Sequence, residues 1–148
     1  MVSKEREKVV DCGKAVMFLI VCGDEVLLQK RPNNKRGFAN ETIIPGGKSN
    51  KGEKSSFAAK REIMKETGLV GVTLVPLGDN FRVITTNAHL YSMQAYRVEI
   101  DDKSCIVNME SDSGKLVWVK FDEAKENQNW AHFKLVFDRA EKLLKEGS

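Results

Sequence analysis

The sequence has no long apolar segment and no closely spaced cysteines, and each absence excludes a class of protein. Its continuous apolar run, residues 15–22, is far shorter than the roughly 20 residues that span a bilayer, so we expect no membrane segment. Cys12, Cys22 and Cys105 form no CxxC or Cys/His cluster, so we expect free thiols. With no targeting segment visible, we predict a cytoplasmic protein.

The sequence also lacks a block of charge of one sign. Its 24 basic and 21 acidic residues give a net charge of +3, which does not indicate a nucleic-acid-binding protein. A length of 148 residues and a hydrophobic content of 41% predict one globular domain over residues 1–148 with a real core. A monomer and a homodimer both remain open.

Apolar periodicity and turn residues predict strands on both sides of one central helix, followed by a terminal helix. The expected strands are 15–22, 25–30, 42–44, 70–77, 81–85, 89–100 and 116–121, with a possible short strand at 105–107. The expected helices are 54–67, with Phe57, Ala59 and Ile63 facing inward, and 130–146. A polar loop spans residues 31–40, and a Pro-Gly-Gly turn at 45–47 precedes the central helix.

The charges of the central helix are placed unfavourably for a solvated surface. Arg61 faces Lys65 and Glu62 faces Glu66, so both pairs at a spacing of four residues carry like charges. Two carboxylates on one helical face beside a glycine-rich loop can instead share a hard cation such as Mg²⁺. A solvated Glu/Lys helix is the alternative interpretation.

Residues 47–69 resemble the Nudix box, whose pattern is Gly, five residues, Glu, seven residues, then Arg-Glu-apolar-any-Glu-Glu-any-Gly-apolar. The matching residues are Gly47, Glu53, Arg61, Glu62, Ile63, Glu66, Gly68 and Leu69. Lys65 is the one departure, because the family has a glutamate there. The resemblance implies an α/β (α+β) fold, the Nudix-type α/β/α sandwich with a mixed central sheet.

The resemblance also implies site residues and a cofactor. Glu62, Glu66 and the backbone carbonyl of Gly46 would bind Mg²⁺, with Mn²⁺ as a substitute, while Arg61 and Glu53 would hold the box in place. Glu62 is the candidate general base. A further carboxylate for metal binding or catalysis would come from Glu110 or Asp112, although single acidic loop residues are often only solvated.

Candidate substrate contacts follow from their positions relative to the box. Arg31 ends the second predicted strand, where Nudix proteins often have an arginine near the substrate phosphates. Arg36 and Arg82 are basic alternatives, for which surface solvation is the competing interpretation. Asn129 precedes the last helix, in a region that contacts the base in some relatives, although it could equally cap that helix.

The resemblance implies hydrolysis of a nucleoside diphosphate linked to another moiety, with water attacking a phosphorus atom while metal ions neutralise phosphate oxygens. The small size favours a nucleoside triphosphate, cleaved to a monophosphate and pyrophosphate. ADP-ribose or dinucleoside polyphosphates are alternative substrates. A non-catalytic nucleotide- or ADP-ribose-binding module, with a metal site weakened by Lys65, is the alternative from another class.

Overall fold

The structure contains a mixed sheet with helices on both faces. This computed structural model describes residues 9–32, 41–84, 88–111, 114–126 and 131–146. Over these ranges the strands are β1 (Val10–Cys22), β2 (Glu25–Lys30), β3 (Thr42–Ile43), β4 (Gly46–Lys48), β5 (Val75–Ile84), β6 (His89–Glu99), β7 (Glu110–Ser111) and β8 (Gly114–Lys120). The helices are α1 (Ser55–Thr67), α2 (Phe121–Glu126) and α3 (Ala131–Glu146).

Strand β1 is buried on both faces, as its apolar run predicts. Phe18 and Ile20 pack with residues of α1 such as Ile63, while Met17 and Leu19 pack with α2 and α3 on the opposite face. Successive side chains of a strand point to opposite faces, so one apolar segment supplies the centre of both layers. None of the helices in the described ranges is long and apolar enough to span a membrane.

Two strands share one edge of β1. The strands follow the order β5-β6-β1-β2-β8-β7, with β1 and β6 parallel and the other pairs antiparallel. On its other edge, β1 pairs with β2 over residues 20–22 and with β4 over residues 15–17. Because β2 and β4 divide this edge, the end of β2 and the glycines of β4 both lie against α1.

Most predicted elements are present, and the fold class is confirmed. The predicted turn at 45–47 is wrong, because Gly46–Lys48 pairs with β1 as a strand. The strands expected at 70–77 and 81–85 form one strand, Val75–Ile84, and residues 70–74 lie before it, where Gly71 adopts a left-handed conformation with φ of 67°. A 3₁₀ turn, Lys103–Cys105, is present where a short strand had been possible, and Asp102 caps it by accepting from the Ser104 N–H.

Candidate active site

The acidic residues of α1 face inward, and its lysines face outward. Glu62 and Glu66 are only 5% and 4% exposed, although they belong to a helix on the outside of the sheet. Lys60 and Lys65 are exposed. Burying carboxylates is costly unless they are paired or bind a cation, so this arrangement indicates a site and not a solvated helix surface.

A missing side chain at Gly47 makes room for Glu62. A Cβ atom built at Gly47 would lie 2.3 Å from Glu62 Cδ and 2.5 Å from its Oε2. The carboxylate of Glu62 therefore lies directly against the backbone of β4. Glycine is needed here because the Glu62 carboxylate approaches the backbone so closely. The φ of Gly47 does not lie in the left-handed region and places no demand of its own.

Arg61 connects the loop before α1 to the buried carboxylate. Its Nε and Nη2 donate to the two oxygens of Glu53 at 3.0 and 2.9 Å, and Nη1 donates to Glu62 Oε1 at 2.6 Å. Nη2 also donates to the Lys48 carbonyl at 3.0 Å. Arg61 and the Asn50 N–H together lower the pKa of Glu53 to about 2, and Glu53 in turn raises the pKa of Arg61.

Glu66 is held by side chains from two distant strands. Ser111 Oγ donates to Glu66 Oε2 at 3.0 Å, and Gln29 Nε2 approaches the same oxygen at 3.5 Å. Gln29 is 2% exposed and also accepts from Arg31 Nη1 at 3.4 Å. Sequence reasoning missed both Gln29 and Ser111. A polar residue directly after the apolar run of β2 was the available signal for Gln29.

The carbonyl of Gly46 points away from β1. Phe18 N–H donates to the Pro45 carbonyl, and Ser49 N–H donates to the Lys14 carbonyl, so residues 45, 47 and 49 occupy the hydrogen-bonded positions of this ladder. Alternation then directs the backbone groups of Gly46 and Lys48 to the opposite side. The Lys48 carbonyl accepts from Arg61 there, which agrees with this geometry.

The sequence matches the NUDIX domain family model over residues 13–139. The chain belongs to the Nudix family. A crystal structure of a MutT protein from Methanosarcina mazei Go1 superposes with a TM-score of 0.73 at 19% identity, covering 95% of this chain and 99% of that one. The NUDIX domain of Shewanella oneidensis NrtR, complexed with ADP ribose, gives a TM-score of 0.68 at 14% identity, with 95% and 92% covered.

A crystal structure of C. elegans Ap4A hydrolase gives a TM-score of 0.65 at 15% identity, covering 93% of this chain and 99% of that one. No curated protein matches the sequence significantly. Likeness at these identities shows the Nudix fold and leaves the substrate open.

Among the other predicted site residues of this Nudix chain, one lies near Glu66, two lie elsewhere on the sheet, and the rest lie outside the described residues. Arg31 lies near Glu66: burial lowers the pKa of its guanidinium, and the charge of Glu66 acts in the opposite direction. Glu110 is exposed on β7, and alternation turns its side chain away from the face on which Ser111 contacts Glu66. Arg82 lies on the edge strand β5, opposite Ser92 of β6. Arg36 and Asn129, like Asp112, lie outside the described residues.

The donor set of the Nudix box fits a hard cation. Two buried carboxylates and an outward-pointing backbone carbonyl offer oxygen ligands, and Mg²⁺ often takes only one or two carboxylates, completing its shell with water and substrate phosphates. Among the described residues no group of three or more His, Cys, Asp or Glu side chains comes together as a metal site. Glu62, Glu66 and the carbonyl of Gly46 stay the predicted ligands.

Proposed function

We propose that this Nudix protein is a Mg²⁺-dependent hydrolase, also active with Mn²⁺, of a nucleoside diphosphate linked to another moiety. A nucleoside triphosphate, cleaved to a monophosphate and pyrophosphate, is the favoured substrate. The observation that carries the proposal is the pair of buried carboxylates, Glu62 and Glu66, presented on one face of α1, with Glu62 against Gly47 of β4. Arg61, Ser111 and Gln29 orient these carboxylates by hydrogen bonds, and oxygen ligands held in this way suit a hard cation.

Some residues of the site would bind the cation, and others would position those ligands. Glu62, Glu66 and the Gly46 carbonyl would hold the cation, which supplies charge neutralisation at phosphate oxygens and a more acidic water. Arg61 and Glu53 position Glu62, since their hydrogen bonds fix its Oε1. Oε2 of Glu62 then remains the oxygen of that carboxylate for accepting a proton from water, which supports Glu62 as the general base.

A basic residue near Glu66 supports a phosphate-bearing substrate. Arg31 is close enough to Glu66 to interact with its charge and is tied to it through Gln29. Its guanidinium would contact substrate phosphates beside the cation. Contacts of Arg36, Arg82 and Asn129 with the substrate remain predictions from the sequence.

The proposal is tested by hydrolysis of a nucleotide panel in Mg²⁺ or Mn²⁺, with wild type beside Glu66→Gln. The panel contains common and oxidised nucleoside triphosphates, ADP-ribose and dinucleoside polyphosphates, and the products are quantified as nucleoside monophosphate, pyrophosphate and phosphate. We expect turnover of one class and a loss of about a hundredfold or more in Glu66→Gln, because a ligand is removed. Glu126→Gln, an exposed change on α2, is the matched control and should retain full activity.

Two outcomes would contradict the proposal. Turnover that survives chelation of divalent cations would remove the role of Glu62 and Glu66. Tight nucleotide binding without turnover of any compound would instead favour the non-catalytic binding module, and Lys65→Glu would then be the variant to examine for restored metal binding.

A further inference from the structure

A second recess lies on the α1 side of the sheet, next to the start of the helix. Two adjoining cavities of about 490 and 350 Å³ share Lys14, Ser49, Glu53 and Lys54 in their walls. Neither Glu62 nor Glu66 lines them. The recess is thus a separate depression, with a volume that suits a small molecule.

The recess is lined by four lysines. Lys14 comes from β1, Lys48 ends β4, and Lys51 and Lys54 come from the segment between β4 and α1. We call this surface the lysine groove. All four side chains belong to exposed residues, and no ion pair found in the described part of the chain includes any of them. These ammonium groups, which lack a direct ion pair, therefore concentrate positive charge in the groove.

The single acidic residue that lines the groove is already committed elsewhere. Both oxygens of Glu53 accept hydrogen bonds from Arg61, and Oε1 also accepts from the Asn50 N–H at 2.9 Å. Arg61, which Glu62 also contacts, thereby offsets part of the charge of this carboxylate. A ligand in the groove would meet four ammonium groups and one carboxylate that is already paired.

Polar side chains of β6 extend the groove away from the lysines. Ser92 and Gln94 line the smaller cavity together with Ser55. Tyr96 OH donates to Gln94 Oε1 at 3.2 Å, which fixes the amide of Gln94. Arg82 of β5 stands opposite Ser92 in the sheet, and directly paired residues share a face, so a fifth cation lies at this end.

We propose that the lysine groove is a second anion site, which binds a small molecule carrying several phosphate groups without a divalent cation. Lysine ammonium groups act as point charges toward phosphate oxygens, and the serine and amide groups supply additional donors. The site differs in chemistry from the carboxylate pair, which repels phosphates until a cation is bound. It does not depend on the hydrolytic function proposed above.

The groove is also connected mechanically to the carboxylate site. Arg61 contacts Glu53 and the Lys48 carbonyl on the groove side and Glu62 on the other. An anion that draws Lys48 or Lys51 toward the groove would pull on the same loop that orients Arg61. Occupancy of the groove would therefore alter the position of Glu62.

The test is calorimetric titration with inorganic tripolyphosphate in EDTA at low ionic strength. EDTA removes divalent cations, so the carboxylate site cannot take part. The variant Lys14→Gln/Lys54→Gln is compared with Lys115→Gln/Lys134→Gln, which removes the same charge from exposed positions on β8 and α3. We expect the dissociation constant to rise about tenfold or more in the groove variant and less than about twofold in the control. Equal melting temperatures would show that both variants are folded.

Equal weakening by both variants would overturn the proposal, because it would show attraction to net charge alone. Absence of wild-type binding at millimolar tripolyphosphate would do the same. Single-stranded homopolymeric RNA is titrated in parallel. RNA binding that increases with length and is lost in the groove variant, while tripolyphosphate stays unbound, would also overturn the assignment to a small molecule.

Discussion

Replacing Gly47 with alanine tests whether close approach of β4 fixes the catalytic geometry. The new Cβ would lie 2.3 Å from Glu62 Cδ, whereas ordinary contact begins at 3.4 Å, so the carboxylate must retreat by about 1 Å. Glu62 has little room to do so, because it is 5% exposed and held by Arg61 Nη1 at 2.6 Å. The clash therefore acts on the group that the proposed reaction needs most.

The expected magnitude follows from that displacement. A misplacement of about 1 Å in a reacting group can lower the rate by about a hundredfold, and overpacking costs about 1–3 kcal/mol of unfolding free energy. We expect kcat of Gly47→Ala to fall by about a hundredfold at saturating Mg²⁺, while circular dichroism shows a folded protein. The assay is release of pyrophosphate or phosphate from the best substrate of the panel.

Gly52→Ala is the matched control for this experiment. Gly52 lies in the loop that follows β4, at a φ of 76°, and a Cβ there would meet no atom within 4 Å. Alanine at Gly52 should cost about 1–3 kcal/mol of stability through backbone strain but leave Glu62 undisturbed. If the two variants lose activity in proportion to their loss of stability, the clash with Glu62 does not explain the need for glycine at position 47.

Two further predictions concern the groups that hold the carboxylates. The pKa of Glu53 is about 2 in the folded protein against an ordinary 4.5, so its pairing stabilises the fold above about pH 4.5 and this stabilisation is lost as the pH falls toward 2. Denaturant unfolding should therefore show Glu53→Gln less stable than wild type at neutral pH, with the difference shrinking between those two values; a difference independent of pH would contradict the ion pair. Ser111→Ala removes a donor from Glu66 Oε2 and should raise the Mg²⁺ concentration for half-maximal activity by about 10–100-fold without changing the melting temperature. Ser104→Ala, on the exposed 3₁₀ turn, is its control, and identical Mg²⁺ dependence in both variants would exclude Ser111 as a positioning residue.

The local features of the box could be predicted because they depend on short-range spacing. The helix was expected at 54–67 and spans Ser55–Thr67, since Gly68 ends it in a left-handed conformation with φ of 84°. Arg61 and Glu53 were expected to hold the box in place, and the structure shows the two side chains hydrogen-bonded to each other. These contacts join residues only eight positions apart, so the pattern of the sequence contains them.

The inward face of α1 was predicted incorrectly at one position. Phe57 was expected in the core, but it is 59% exposed. The buried positions include Glu62 and Glu66, so the inward face is not the most hydrophobic one. Predicting the buried face of a helix from hydrophobicity alone fails when carboxylates are among its buried residues.

Strand β4 and the partners of Glu66 could not be predicted for a different reason. Gly46 and Gly47 have low β-propensity and form a strand only because β1 pairs with them. Gln29 and Ser111 carry no motif, and their approach to Glu66 depends on the arrangement of the whole sheet. Apart from the polar position of Gln29 after an apolar run, a single sequence contains no short-range signal for such contacts.

The two carboxylates differ in how much of the chain must fold before each is fixed. The hydrogen bonds that Arg61 makes to Glu62 and Glu53 span one and eight residues, whereas those from Gln29 and Ser111 to Glu66 span 37 and 45. Loop closure costs more entropy for the longer spans, so the hydrogen bonds of Glu62 can form early in folding. Those of Glu66 form only after β2 and β7 have joined the sheet. Partial opening of that sheet would release Glu66 first, and hydrogen exchange at Gln29 and Ser111 would report it. Metal binding, which needs both carboxylates in place, would then favour the completely folded state over such partly opened forms.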